Sequence, residues 1–189
     1  YPWTGARPYG KLLDTSSSTD LSSKMVVFDL KGLSTLPDLQ SVMILILTDY
    51  ILQKVETPCG NRKQIFMDEC WKLLKSPASK DFMEECVRTL RKSGAGITFI
   101  TQGLDEIVSS PIGTAIISNT ATKFVLRQAG DYALTQASLN LNPQQLALIS
   151  SLRQVKGVFS EAFLVVDRSS CVIRIEPTPI EYWVATSDP

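Results

Sequence analysis

The sequence predicts an α/β fold: a largely parallel sheet flanked by helices, with a β-hairpin near the C-terminus. Three observations carry this. Short apolar runs of strand length alternate with helical patterns along most of the 189 residues, the order of a sheet wound with helices rather than of successive hairpins. One such run, QIFMDE at 64–69, ends in two acids. Near the end, AFLVV and CVIRIEP stand on either side of DRSS, the pattern of two paired strands around a turn.

Taken in order, residues 1–24 carry Pro2, Gly5, Pro8, Gly10 and the polar run DTSSSTDLSS, and read as a loop-rich lead-in. KMVVFDL (24–30), β-branched and aromatic and closed by Lys31-Gly32, reads as a buried strand. PDLQSVMILILTDYILQKV starts on Pro37 near a helix start, and its apolar residues cover more than one face. A helix of about 18 residues, buried on most sides, fits that pattern. TPCGNRK is a turn, and QIFMDE is a second strand. ASKDFMEECVRTLRKSGAG has the pattern of an amphipathic helix closed by Gly94. GITFITQ (96–102) is a third strand and KFVLRQ (123–128) a fourth, joined by a loop or short helix through Pro111 and Gly113. PQQLALISSLRQV, at Pro143, is a short helix that precedes the hairpin.

The composition, 44% hydrophobic and 20% charged, is that of an ordinary globular domain. Nineteen Lys and Arg against nineteen Asp and Glu leave no net charge, so no global field favours nucleic acid or anionic lipid. The chain has no His, which removes imidazole bases, His-based triads and His metal sites together. Cys59, Cys70, Cys86 and Cys171 form no C-x-x-C pair and read as free thiols of a reducing compartment. The longest apolar run, VMILIL, is far shorter than the roughly 20 residues of a membrane span, and no signal peptide is visible. A start on Tyr and a turn-rich opening suggest a piece of a longer chain.

The chemistry centres on IFMDE. Three apolar residues bury the strand, and Asp68 and Glu69 emerge at its carboxyl end, where open α/β sheets bind ligands. This is the form of a Walker B element, in which the Asp holds Mg2+, usually through water, and the Glu positions the water that attacks the terminal phosphate. The alternative is a strand end capped by two solvated carboxylates. GITFITQ then ends in Thr101-Gln102, a polar amide on the neighbouring strand. Between them, Glu84, Arg88 and Arg91 share a helix face, with Lys92 beside Arg88 and with Phe82, Cys86 and Leu90 opposite. That cationic edge could supply an arginine finger to a neighbouring subunit, or be a solvated face laced by Glu84 and Arg88.

MDECWKLL, FMEECVRTLRKSGAGITFITQ, AIISNTATKFVLRQ, FSEAFLVVD and EYWVATSDP together resemble the C-terminal part of the TraC-like ATPases of conjugation and type IV secretion, relatives of the other VirB-type traffic ATPases. The likeness runs from about Tyr9 to the end. It implies a RecA-like P-loop NTPase fold, here partial, over 25–189, in a cytoplasmic hexamer. That hexamer would hydrolyse ATP with Mg2+ to drive pilus biogenesis and substrate passage, peripheral at the inner membrane through channel partners. Carried over, Asp68 and Glu69 match the Walker B pair, with Asp68 toward Mg2+ and nucleotide and Glu69 catalytic. Gln102 matches the motif ending the sensor strand, and Arg88, Arg91 and Lys92 match the basic motif from which a trans-acting arginine is expected. Asn119, Lys123, Arg127 and Gln128 lie in the family's next patterned segment.

The family's P-loop lies upstream of the matched segment. GARPYGKLL (5–13) nearly spells one, but Leu12 stands where Ser or Thr should hold the ion, Pro8 sits inside the loop, and no buried strand precedes it. It is read as a turn, and the chain alone as inactive. In the family's sheet order the P-loop strand lies between the sensor strand and the one resembling KFVLRQ, so a central gap is expected there. Two other readings stand beside the ATPase: a catalytically silent interaction or oligomerisation fragment, using helix 37–54 or the hairpin, and a DNA-translocating motor. Zero net charge and the lack of basic-aromatic interleaving do not support direct contact with nucleic acid.

Overall fold

The computed structural model describes residues 3–14, 21–33, 35–56, 62–69, 86, 90–110, 112–128 and 132–186. Two compact units divide the chain, Tyr1–Lys54 and Val55–Pro189.

In the first unit the opening segment closes on itself. A one-turn helix, α1 (Gly10–Leu13), interrupts the lead-in. Trp3 stacks on Tyr9 at 4.9 Å, and the Gly5 amide donates to Asp14 Oδ2 at 3.0 Å. A Cβ on Gly10 would stand 2.3 Å from the Gly5 carbonyl oxygen, so only glycine allows this closure. The strand expected over 24–30 does not form. A strand exists by pairing, and this run has no partner strand among the described residues. Met25 and Val27 are 81% and 76% exposed, and the run ends where the Lys31 amide donates to Asp29 Oδ1 at 2.9 Å.

The long helix is present as α2 (Pro37–Glu56), with Pro37 at its start, where the missing N–H is harmless. Its burial is lower than the sequence predicts: Leu39 and Ile44 are buried, yet Leu45 and Ile46 are exposed. At about 100° per residue, VMILIL sends apolar side chains all round the axis, and only part of that surface is covered. Tyr50 anchors this unit, donating to the Leu21 carbonyl at 3.0 Å and meeting Phe28 edge-on at 6.0 Å.

The second unit begins with the parallel pair β1 (Lys63–Met67) and β2 (Ala95–Phe99), in register from Lys63 opposite Ala95 to Met67 opposite Phe99. Gln64 reaches over Gly96 to donate to Thr98 Oγ1 at 2.9 Å. A Cβ on Gly96 would lie 2.4 Å from the Gln64 Oε1 it passes. The helix expected before β2 falls mostly outside the described residues. Of it, Cys86 and Leu90 are buried, four apart as on one apolar face. Its final turn, Leu90–Ser93, is 3-10, and Gly94 follows at φ +67°, the left-handed closure expected of it.

Short helices α3 (Leu104–Val108) and α4 (Gly113–Asn119) lead to β3 (Thr122–Leu126). Helices α5 (Tyr132–Leu139) and α6 (Pro143–Ser150) follow, then β4 (Gln154–Val155), β5 (Phe159–Val166), β6 (Ser169–Ile175) and α7 (Pro179–Ala185). The predicted hairpin is β5 and β6, turned at Asp167 with φ +51°. β3 and β4 both pair antiparallel with β5, so β2 and β3 fall in different sheets. The described strands therefore part where the sequence led us to expect a gap. The core beneath the antiparallel sheet is Val125, Leu141, Ile149, Leu152 and Phe163, with Tyr132, Leu139 and Val165 at its border. Ile149 and Phe163 are fully buried, and side chains of that size contribute roughly 1.5–3 kcal/mol each.

Candidate functional site at the end of the parallel pair

Because β1 and β2 run parallel and in register, both release their chains at the same end. The last ladder bond, from the Ile100 amide to the Met67 carbonyl at 2.9 Å, fixes that end. Just beyond it stand Asp68 and Glu69 on one strand and Thr101 and Gln102 on the other. Carboxyl ends of parallel strands are where ligands meet α/β sheets.

The chain turns sharply at the acids. Glu69 has φ +48°, and its amide donates to Asp68 Oδ1 at 3.0 Å. A non-glycine residue in the left-handed region is disfavoured by about 1 kcal/mol or more, a strain typical of functional positions. The turn places the half-buried Glu69 carboxylate against the neighbouring strand, where Gln102 Nε2 donates to Glu69 Oε1 at 2.9 Å. Asp68 is exposed. Among the described residues no three acidic or cysteine side chains gather around a common point that could hold a metal. A lone exposed carboxylate of this kind suits a hydrated Mg2+ held through water rather than a desolvated one, so the residues fit the group the sequence implies.

The basic motif is only partly visible. Arg88 lies outside the described residues. Arg91 belongs to the 3-10 turn Leu90–Ser93, and only its backbone is described; Lys92, in the same turn, is exposed. Asn119 donates to the Ala115 carbonyl at 2.8 Å within α4, Lys123 caps the Thr120 carbonyl, Arg127 is exposed and the Gln128 carbonyl accepts from Tyr132. Of the thiols, Cys86 is buried and Cys171 exposed, while Cys59 and Cys70 lie outside the described residues.

The sequence placed Thr101 beside Gln102 without a role for its hydroxyl, and did not single out Glu106. Thr101 Oγ1 lies 2.9 Å from both Glu106 Oε2 and the Gly103 carbonyl. The only sequence signal was a pair of acids in the first turn of a short helix, Asp105 and Glu106. In the turn at 5–14 the Gly5 amide faces a carboxylate, which would repel phosphate. No helix among the described residues is long and apolar enough to cross a membrane.

Residues 2–189 match the family described as the TraG P-loop domain. Among curated proteins, the chain is 29% identical over 198 residues to the protein TraC of Escherichia coli, covering 98% of this chain and 22% of TraC. It is 24% identical over 151 residues to the type IV secretion system protein virB4 of Bartonella quintana, covering 79% of this chain and 19% of that protein. It is 26% identical over 138 residues to the type IV secretion system protein CagE of Helicobacter pylori, covering 70% and 14%. The chain thus spans about a fifth of TraC and virB4. Its fold superposes on VirB4 of Thermoanaerobacter pseudethanolicus with a TM-score of 0.70, covering 86% of this chain and 44% of that one at 22% identity. The acids at the end of β1, the amide at the end of β2, the shared fold and a family match over nearly every residue lead to one conclusion: this chain belongs to the TraG P-loop domain family.

Proposed function

We propose that the chain is part of an ATP-hydrolysing motor that powers pilus assembly and substrate transfer in a type IV secretion or conjugation system. Residues 25–189 form the C-terminal portion of its RecA-like ATPase domain, and 1–24 a lead-in. The hydrogen bond from Gln102 to Glu69 carries this reading: it joins the acid of a Walker B strand to the amide of the sensor strand at 2.9 Å. The relatives support the setting, since several are named as type IV secretion system proteins.

ATP brings the phosphoryl group to be transferred, and Mg2+ neutralises the charge that develops on it. Asp68, exposed beside the turn, would hold the hydrated ion. Glu69 takes a hydrogen bond from the attacking water and orients it, and Gln102 fixes the carboxylate in the required pose. Arg88 or Arg91 reaches into the site of the adjoining subunit of a hexamer, and Lys92 of the same motif binds nucleotide. Channel components at the inner membrane are the partners, with the motor on their cytoplasmic side.

A second reading, the silent interaction fragment, draws on α7, where Ile180, Trp183 and Val184 are 77%, 72% and 82% exposed. The two separate on one substitution. In the intact ATPase, Glu69→Gln preserves the fold and nucleotide affinity but lowers turnover by about a hundredfold or more, as expected on losing a general base. Phosphate release at the wild-type rate by that variant would remove Glu69 from the chemistry.

A further inference from the structure

We propose that Glu106 is a positioning residue for Gln102, acting through the hydroxyl of Thr101; this rests on reading Glu69 and Gln102 as the pair that handles the attacking water. The Thr101 hydroxyl has one hydrogen and two acceptors at 2.9 Å, Glu106 Oε2 and the Gly103 carbonyl. A carboxylate is the stronger acceptor of the two. The same oxygen also receives the Gly103 amide at 3.4 Å, the local turn that a Ser or Thr hydroxyl makes two residues on. The result is a continuous link, Gly103 amide to Thr101 hydroxyl to Glu106 carboxylate, that closes around Gln102.

The placement of each group follows from the chain. Thr101 leaves β2, while Glu106 sits in the first turn of α3, five residues on. Gly103 precedes that helix in extended conformation with no side-chain cap of its own. A Cβ at Gly103 would lie 2.3 Å from Asp105 Oδ1. Gln102 is therefore held on both sides, and only its side-chain torsions remain to be set. The 2.9 Å bond to Glu69 sets them. Thr101, Gly103 and Glu106 are all half-buried, so water competes less for their bonds than it would at an open surface. Without the link the loop gains backbone freedom and the amide no longer waits at the carboxylate.

The test follows the Gln102 side-chain amide by proton–nitrogen NMR in the 189-residue chain, with melting temperatures recorded in parallel. Glu69→Ala moves this resonance to the position of an unbonded glutamine. Glu106→Ala and Thr101→Val each move it most of the way there, and the double variant moves it no further than either alone. Glu106→Gln and Thr101→Ser, which keep an acceptor and a hydroxyl, leave it near its native position. In the intact ATPase, Glu106→Ala lowers kcat about tenfold at unchanged KM for ATP, the mark of a misplaced group rather than lost binding. If Glu106→Ala does not fold, Thr101→Val interrogates the same link from its other end. An amide that responds to Glu69→Ala but not to Glu106→Ala or Thr101→Val overturns the positioning role alone. An amide that ignores Glu69→Ala overturns the pair and the positioning role together.

Discussion

Glu161 is the side chain on which three segments converge. Its Oε2 accepts the Arg153 amide at 2.8 Å, and its Oε1 accepts Arg174 Nη2 at 3.0 Å. The Arg174 guanidinium also lies 4.1 Å from the centre of the Phe159 ring. The hydrogen bond from Arg174, and after it that from the Arg153 backbone, hold the Glu161 carboxyl below the usual glutamate range. A depressed folded-state value means that the carboxylate stabilises the fold above the ordinary glutamate range. That contribution is lost as pH falls through the lowered value. Glu161→Gln cannot titrate, so its melting temperature lies below wild type near neutrality and the difference narrows as pH falls through and below the ordinary glutamate range, as thermal unfolding at a series of acid pH values will read. None of this was legible in the sequence, because Glu161 and Arg174 meet only through the cross-strand register that sets them opposite. The acids at 68–69 were legible because two neighbours in sequence need no register to meet. The link from Thr101 to Glu106 was not, since a turn geometry makes it.

Helix α6 shows how a local signal becomes a tertiary one. Asn142 Oδ1 accepts the Gln145 amide at 2.8 Å while Gln145 Oε1 accepts the Asn142 amide at 2.9 Å, a reciprocal cap. The free end of the Gln145 amide then donates to Ser170 Oγ at 3.1 Å, tying the helix start to the hairpin. Asn142→Ala removes the cap and destabilises the fold by about 1 kcal/mol, seen as a lower urea midpoint at unchanged slope. Other elements were less readable. Thr178-Pro179-Ile180-Glu181 is an equally clear capping box for α7, yet the seven-residue helix it starts buries none of its residues, and its apolar stripe, Ile180, Trp183 and Val184, is a single turn long, too short to mark a helical period. Helix α5 buries only Thr135, a polar residue on the face that carries Tyr132 and Leu139 to the core, so apolar periodicity did not mark it. The run at 24–30 shows the opposite failure: β-branched residues signal willingness to pair, while pairing itself depends on a neighbour elsewhere in the chain.

The α/β class was legible from the alternation of runs, and with it the parallel pair and the hairpin. The partner of β3 was not, because a run as short as KFVLRQ signals that a strand pairs but not which strand lies beside it. At this scale the phosphate question can be settled by calorimetry. The amide of Gly5 is taken by Asp14, so titrating the 189-residue chain with Mg2+ and a non-hydrolysable ATP analogue is expected to give no binding heat. Micromolar affinity would place a phosphate cradle inside this chain and remove the half-site interpretation. The backbone at Glu69 occupies a region that glycine and asparagine enter freely and glutamate does not. A laboratory lineage selected for folding alone would drift to Gly or Asn at 69, gaining robustness as it lost the carboxylate, so Glu69 is a position where thermal hardiness and turnover pull the sequence in opposite directions.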